Sequence, residues 1–182
     1  PALGALPVTT PSGGSTFSDT TADRVFGQPN FTTGASGTTA TTFNLPLHAA
    51  FDSTGRLFVV DYANQRILIF DDPMNDTTAD TVIGQPNFTS GGSGTSATAL
   101  SDPFAVAFDA AGRLFMTDQL NRRVLVFDNP ANDTTADTVL GQPNFTSGGS
   151  GLSANQFNAP NDLAFDASGR LFVADGLNRR VL

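Results

Sequence analysis

The chain has 182 residues, a formal net charge of −8, and no Cys, Trp, Lys or Glu; all nine cations are Arg and all seventeen anions are Asp. Scattered Arg on an acidic chain cannot build the clustered cationic face that phosphate binding needs, which excludes nucleic acid as a partner. Without Cys there is no disulfide and no thiolate metal site, and no run approaches the roughly eighteen apolar residues of a membrane-spanning helix.

Residues 1–16 (PALGALPVTTPSGGST) match nothing else in the chain; they carry neither Met nor a cationic, apolar leader, so this start is expected to follow processing or a cut in a longer chain. Beyond them one unit of 57 residues recurs: GQPNF begins at Gly27, Gly84 and Gly141, GRLF at Gly55, Gly112 and Gly169, and TTAD at Thr20, Thr77 and Thr134. A fixed period of this size means one supersecondary unit packed on copies of itself, because a single unit cannot bury its apolar face alone.

Each unit holds four short apolar runs bounded by turn residues, with no helical spacing. The first strand is predicted at Leu47 to Phe51, Phe104 to Phe108 and Asn161 to Phe165, closed by an Asp-x-x-Gly turn. Arg56 to Asp61 and Arg66 to Phe70 follow, and the fourth strand runs from Asp80 to Gln85, stopped by Pro86. The predicted fold is all-β: propeller blades of four antiparallel strands, about three of them, forming part of a six-bladed or larger assembly. The expected organisation is an arc over 17–182, made of an outer strand at 22–30, blades at 45–87 and 102–144, and an incomplete blade at 159–182. Gly, Ser and Thr tracts at 31–44, 88–101 and 145–158 are expected to be mobile surface loops, and 71–79 and 128–136 to be connectors at the opposite end.

The run AFDAAGRLFMTDQLNRRVLVF, from Ala107 to Phe127, resembles the NHL repeat, a propeller blade with a Gly-Arg-aliphatic pair, an Asp closing the second strand and Asn-x-Arg opening the third. The same pattern occupies Ala50 to Phe70 and Ala164 to Leu182, although the period exceeds a compact blade. The resemblance implies the fold; propellers of this kind host peptide-amide lyases, RNA binders and interaction scaffolds alike.

Positions that differ between copies are candidates for a ligand-binding rim at the channel: Leu47, Phe104 and Asn161; His48 and Asp162; and, after the second strand, Tyr62 and Gln119. Positions that do not differ point to architecture, with Asp61, Asp118 and Asp175 accepting loop amides and Arg66, Arg123 and Arg180 pairing across the blade junction. Asn30, Asn87 and Asn144 open Asn-Phe-Thr, and Asn75 and Asn132 open Asn-Asp-Thr, so these five are candidate glycosylation sites.

His48 is the lone histidine, so no three-ligand zinc site of the kind held by several His in NHL lyases can form, and no catalytic elbow or phosphate loop is present. No cofactor is expected; Asp and backbone carbonyls leave calcium open. The chain stops inside its third strand at Leu182, which suggests a piece of a longer protein or a continuing segment left undetermined. Residues 159–182 supply three strands without a fourth, and 23–28 a spare one; unpaired edges invite another chain. Together these features point to a non-catalytic, extracellular or cell-surface scaffold that binds itself, as homo-oligomer or polymer, or other surface proteins, by edge-strand completion. The alternative is an NHL-type propeller enzyme, a lyase or hydrolase, with its site at the channel rim.

Overall fold

The computed structural model describes residues 21–182, and the non-repeat segment 1–16 lies outside them. Three antiparallel sheets follow one another along the chain. The first has β1 (Pro46–Phe51), β2 (Leu57–Asp61), β3 (Arg66–Phe70) and β4 (Thr81–Ile83) in that spatial order. The second repeats it with β5 (Pro103–Phe108), β6 (Leu114–Asp118), β7 (Arg123–Phe127) and β8 (Thr138–Leu140). The third has β9 (Pro160–Phe165), β10 (Leu171–Asp175) and β11 (Arg180–Val181). The inner strands β1, β5 and β9 neighbour one another in sequence, so the sheets stand as successive blades of an open arc, a partial propeller.

Side chains alternate across each strand, and both faces of the first two blades are covered, while Phe172 and Val181 of the third are exposed. Phe58, Val60, Ile67, Ile69 and Ile83 leave one face of the first blade to meet Leu100, Val106, Leu114, Met116, Leu125 and Phe127 of the second unit. Leu57, Val59, Leu68 and Phe70 leave the other face to pack with Phe43. Phe115, Val124 and Val126 of the second blade meet Phe157, Leu163 and Val173 of the third. Edge-to-face pairs repeat with the period: Phe58 with Phe108 at 4.8 Å and Phe115 with Phe165 at 4.9 Å between ring centroids.

Two expected strands differ. The fourth is Thr81–Ile83 rather than Asp80 to Gln85, because Gly84 turns the chain at φ +90° before Pro86 is reached. The outer strand expected at 22–30 does not form: Phe26 stacks on Phe70 at 5.1 Å, but its backbone joins no ladder. The Gly/Ser/Thr tracts also depart from expectation, since side chains of the blades pin them at fixed carbonyls, as described below.

Each Asp-x-x-Gly-Arg hairpin is clasped in the same way. Asp52 Oδ1 accepts the Thr54 and Arg56 amides and Oδ2 pairs with Arg56 Nε at 2.7 Å, while Gly55 at φ +92° closes the turn. Asp109 and Asp166 repeat the clasp with Arg113 and Arg170. Burial pushes the Asp52 and Asp109 carboxyls up, but the hydrogen bonds they accept outweigh it and hold both below the ordinary 3.8. Asp166 is lowered by the bonds from Arg170. A depressed carboxyl pKa adds stability that is present above its unfolded value and lost as pH falls through the folded one. Urea midpoints are therefore expected to hold down to about pH 5 and to drop below about pH 4, with a shallower drop in Asp52→Asn, which has no carboxyl to protonate at this turn.

Candidate functional site

Each inner strand opens under strain at the same place. Leu45, Asp102 and Ala159 adopt φ of 58°, 53° and 62°, and each precedes a proline, which disfavours that conformation further. Just beyond, the ladder slips: the register shifts between Pro46 and His48, between Pro103 and Val106, and between Ala174 and Asp175. A bulge re-aims the side chains around it. Here it turns the start of one blade toward the turn after the second strand of the preceding blade.

Those turns carry the contacts. Tyr62, in a 3₁₀ turn over Tyr62–Asn64, donates its hydroxyl to Asp102 Oδ2 at 3.0 Å and lies edge-on to Phe104 with ring centroids 6.1 Å apart. Gln65, itself at φ 55°, clasps the same residue twice: its Oε1 accepts the Asp102 amide and its Nε2 donates to Asp102 Oδ1 at 3.2 Å. The hydrogen bond to Asp102, together with burial and the Asp102 charge, raises the Tyr62 hydroxyl above its ordinary 10.0, so it stays protonated. One junction further on, Gln119 Nε2 donates to Asn161 Oδ1 at 2.7 Å, and Gly176 leaves the room that the Asn161 amide occupies.

The structure thus joins Tyr62 to Phe104 and Gln119 to Asn161, an aromatic pair and an amide pair at equivalent places. It does not draw all seven rim residues together: Leu47 is exposed and Asp162 is exposed on β9. His48 is half-buried on β1 opposite Val60, with Nδ1 buried and without a hydrogen-bond partner. Asp102 and Gln65 take part in these contacts although sequence reasoning did not select them. Their columns, Leu45/Asp102/Ala159 and Gln65/Arg122/Arg179, vary between copies just as the chosen ones do, and that signal was there to be read.

The invariant residues form a buried network. Asp61 Oδ1 accepts the Asn44 amide at 2.6 Å; Oδ2 accepts Asn64 Nδ2 and Arg66 Nε at 2.8 and 2.7 Å. Arg66 spends its other N–H groups on the carbonyls of Thr39, Thr42 and Phe88, and Asn64 reaches the Gly37 carbonyl. Asp118, Asn121 and Arg123 repeat every bond in the second blade. In the third, Asp175 and Asn178 do likewise, while Arg180 takes the carbonyls of Leu152, Ser153 and Gln156. The ion pair lies within one blade instead of bridging a junction; the guanidinium carries the link between blades through loop carbonyls. That is why the tracts at 37–42 and 94–99 are tied down.

The Asn-Phe-Thr segments at Asn87 and Asn144 follow β4 and β8 at the rim end, where Arg66 and Arg123 meet the Phe88 and Phe145 carbonyls; the Asn-Asp-Thr segments lie in the β3 to β4 and β7 to β8 connections at the far end. Among the described residues no three His, Cys, Asp or Glu side chains gather to hold a metal, and no helix is long and apolar enough to cross a membrane.

No family model matches the chain, and no curated protein matches it by sequence. Solved structures similar to it include virginiamycin B lyase from Staphylococcus aureus, 12% identical with a TM-score of 0.48 over 75% of this chain and 36% of that one. A streptogramin B lyase is 15% identical with a TM-score of 0.49 over the same shares, and a protein of unknown function from Bacteroides caccae is 12% identical with a TM-score of 0.48 over 74% of this chain and 40% of that one. The chain spans little more than a third of the length of the two lyases. Against the expectation of a non-catalytic scaffold acting by protein binding or self-assembly, the two neighbours with a named activity are lyases. What the chain shares with them is the blade architecture of a propeller.

Proposed function

We propose that this arc belongs to a propeller enzyme of the lyase or hydrolase class, built of NHL-type blades, whose reaction takes place at the channel rim. The observation that carries the proposal is an aromatic wall at the rim, Tyr62 and Phe104 locked by Asp102, while β1, the inner strand packed beside β5, carries an imidazole whose Nδ1 is buried and unpaired. An unsatisfied buried polar atom costs about 1–3 kcal/mol, and so does a residue held in a sparsely populated backbone region such as Leu45 or Asp102. The strained residue recurs at the start of every inner strand, whereas the buried imidazole nitrogen without a partner occurs in the first blade, and it is this that marks the place as shaped for something other than stability.

In this reading His48 takes a proton from substrate or from an attacking water, the two aromatic rings hold an apolar portion of the substrate, and the Gln119–Asn161 amides meet its polar end. Asp102 is a positioning residue that fixes the Tyr62 ring. A panel of chromogenic esters, amides and eliminable uronides offered to the purified protein tests it. Turnover is expected for one class, falling about 10²–10⁴-fold in His48→Ala, the usual contribution of a general base. Tyr62→Phe keeps the ring and removes the bond to Asp102, and is expected to raise KM more than it lowers kcat. Turnover unchanged in His48→Ala refutes the proposal.

A further inference from the structure

We propose that the Asn-Phe-Thr turns at Asn30, Asn87 and Asn144 are acceptor sites for an N-linked sugar in the folded chain, whereas the Asn-Asp-Thr segments at Asn75 and Asn132 are not. The tripeptides are equivalent as sequence, and the fold separates them. In all three Asn-Phe-Thr turns the Asn side-chain oxygen is the engaged atom. It accepts the amide of the Thr two residues on at 3.0, 2.9 and 3.0 Å, and the hydroxyl of that Thr at 2.8, 2.9 and 2.9 Å. Ser90 and Ser147 add a third bond to Asn87 and Asn144. The nitrogen Nδ2 makes no bond in any of them, and both Asn and Thr are exposed.

The middle residue anchors two of the turns from below. Phe88 and Phe145 pack against the cores while their carbonyls accept Arg66 and Arg123. The turn is thereby held with its amide nitrogen outward and its hydroxyl docked beside it. Substitution at Nδ2 leaves every bond of the turn in place.

The other set has the opposite polarity. Asn75 Nδ2 donates to both carboxylate oxygens of Asp72 at 3.0 and 2.9 Å, and Asn132 Nδ2 donates to Asn129 Oδ1 at 3.0 Å. A sugar on these nitrogens would displace the bonds that shape their turns, and the Thr hydroxyl two residues on is not bonded to the Asn.

The chemistry balances with a diphosphate-activated sugar as co-reactant. A bond forms between Nδ2 and the anomeric carbon, the anomeric C–O bond to phosphate breaks with its electron pair leaving on the diphosphate, and one Nδ2 proton passes to a base on the transferase. This proposal does not rest on the enzyme reading above.

The test uses UDP-glucose and a soluble N-glycosyltransferase first shown to modify both tripeptides in the denatured chain. With the folded chain, peptide mass spectrometry is expected to find a hexose on Asn30, Asn87 and Asn144 and at least tenfold lower occupancy at Asn75 and Asn132. Thr89→Ala is expected to abolish the hexose at Asn87 alone and Thr89→Ser to retain it, both variants keeping the fold because Thr89 is exposed. Equal occupancy of the two sets in the folded chain, or Asn-Phe-Thr sites occupied only after denaturation, overturns the proposal.

Discussion

Arg66→Leu is expected to destabilise the fold by about 3–5 kcal/mol, the cost of removing one partner from a buried ion pair. The side chain is fully buried and bonds one carboxylate and three backbone carbonyls in three separate segments. Leucine would fill much of the volume, strip three carbonyls of this donor and leave the buried Asp61 carboxylate without its counter-charge, in a setting where water cannot replace it. Arg180→Leu removes the matching residue of the third blade, which is 24% exposed, so solvent covers part of the loss and a clearly smaller effect follows. Urea unfolding of the two variants separates them; costs within 1 kcal/mol of each other would mean that the network is not the tie described here. The pair Asp61→Leu with Arg66→Leu is expected to cost less than the sum of the single changes, since neither charge is then stranded.

Gly84→Ala is expected to cost about 2–5 kcal/mol, combining left-handed backbone strain with overpacking. At φ +90° a methyl group there would sit 2.5 Å from the Leu100 side chain and 2.9 Å from the Gln65 carbonyl. Leu100 is a wholly buried plug between the first two blades, and Gln65 belongs to the rim clasp, so neither yields freely. Gly55→Ala is the control: φ +92° with nothing within 4 Å of the added carbon, hence about 1–2 kcal/mol from the backbone alone. Adding Leu100→Ala to Gly84→Ala would relieve the side-chain clash and leave the one with the carbonyl. Equal losses at Gly84 and Gly55 would show that the blade junction is looser than the contacts imply.

Blades were readable because two local signals agreed in every copy: alternation along runs such as Leu57–Asp61, and Asp-x-x-Gly turns whose side chains bond their own backbone. The buried triad was readable as conserved chemistry, Asp with Asn-x-Arg, but its direction was not. Whether Arg66 meets Asp61 across β2 and β3 or another blade depends on the pairing register, which no residue spacing reports. The loops misled because Gly, Ser and Thr signal mobility only when nothing holds their carbonyls, and the holders lie 22 to 27 positions away. At the rim, variation between copies picked out Tyr62, Phe104, Gln119 and Asn161; that they meet in pairs needed the left-handed residue and bulge that open each inner strand. The two kinds of sequon look alike as text and differ only in which amide atom the turn consumes. The rim contacts stay beyond the sequence for the same reason, since they form between neighbouring blades and not within one.

No blade owns its interior. Phe58 and Val60 are sheltered by residues of the following unit, and Leu57 and Val59 by the residues that come before, so each of the first two sheets is half of two different cores. A cut placed at a blade boundary would divide a core down its middle. The cooperative element of this molecule is the seam between consecutive sheets, and heat or denaturant would open it seam by seam.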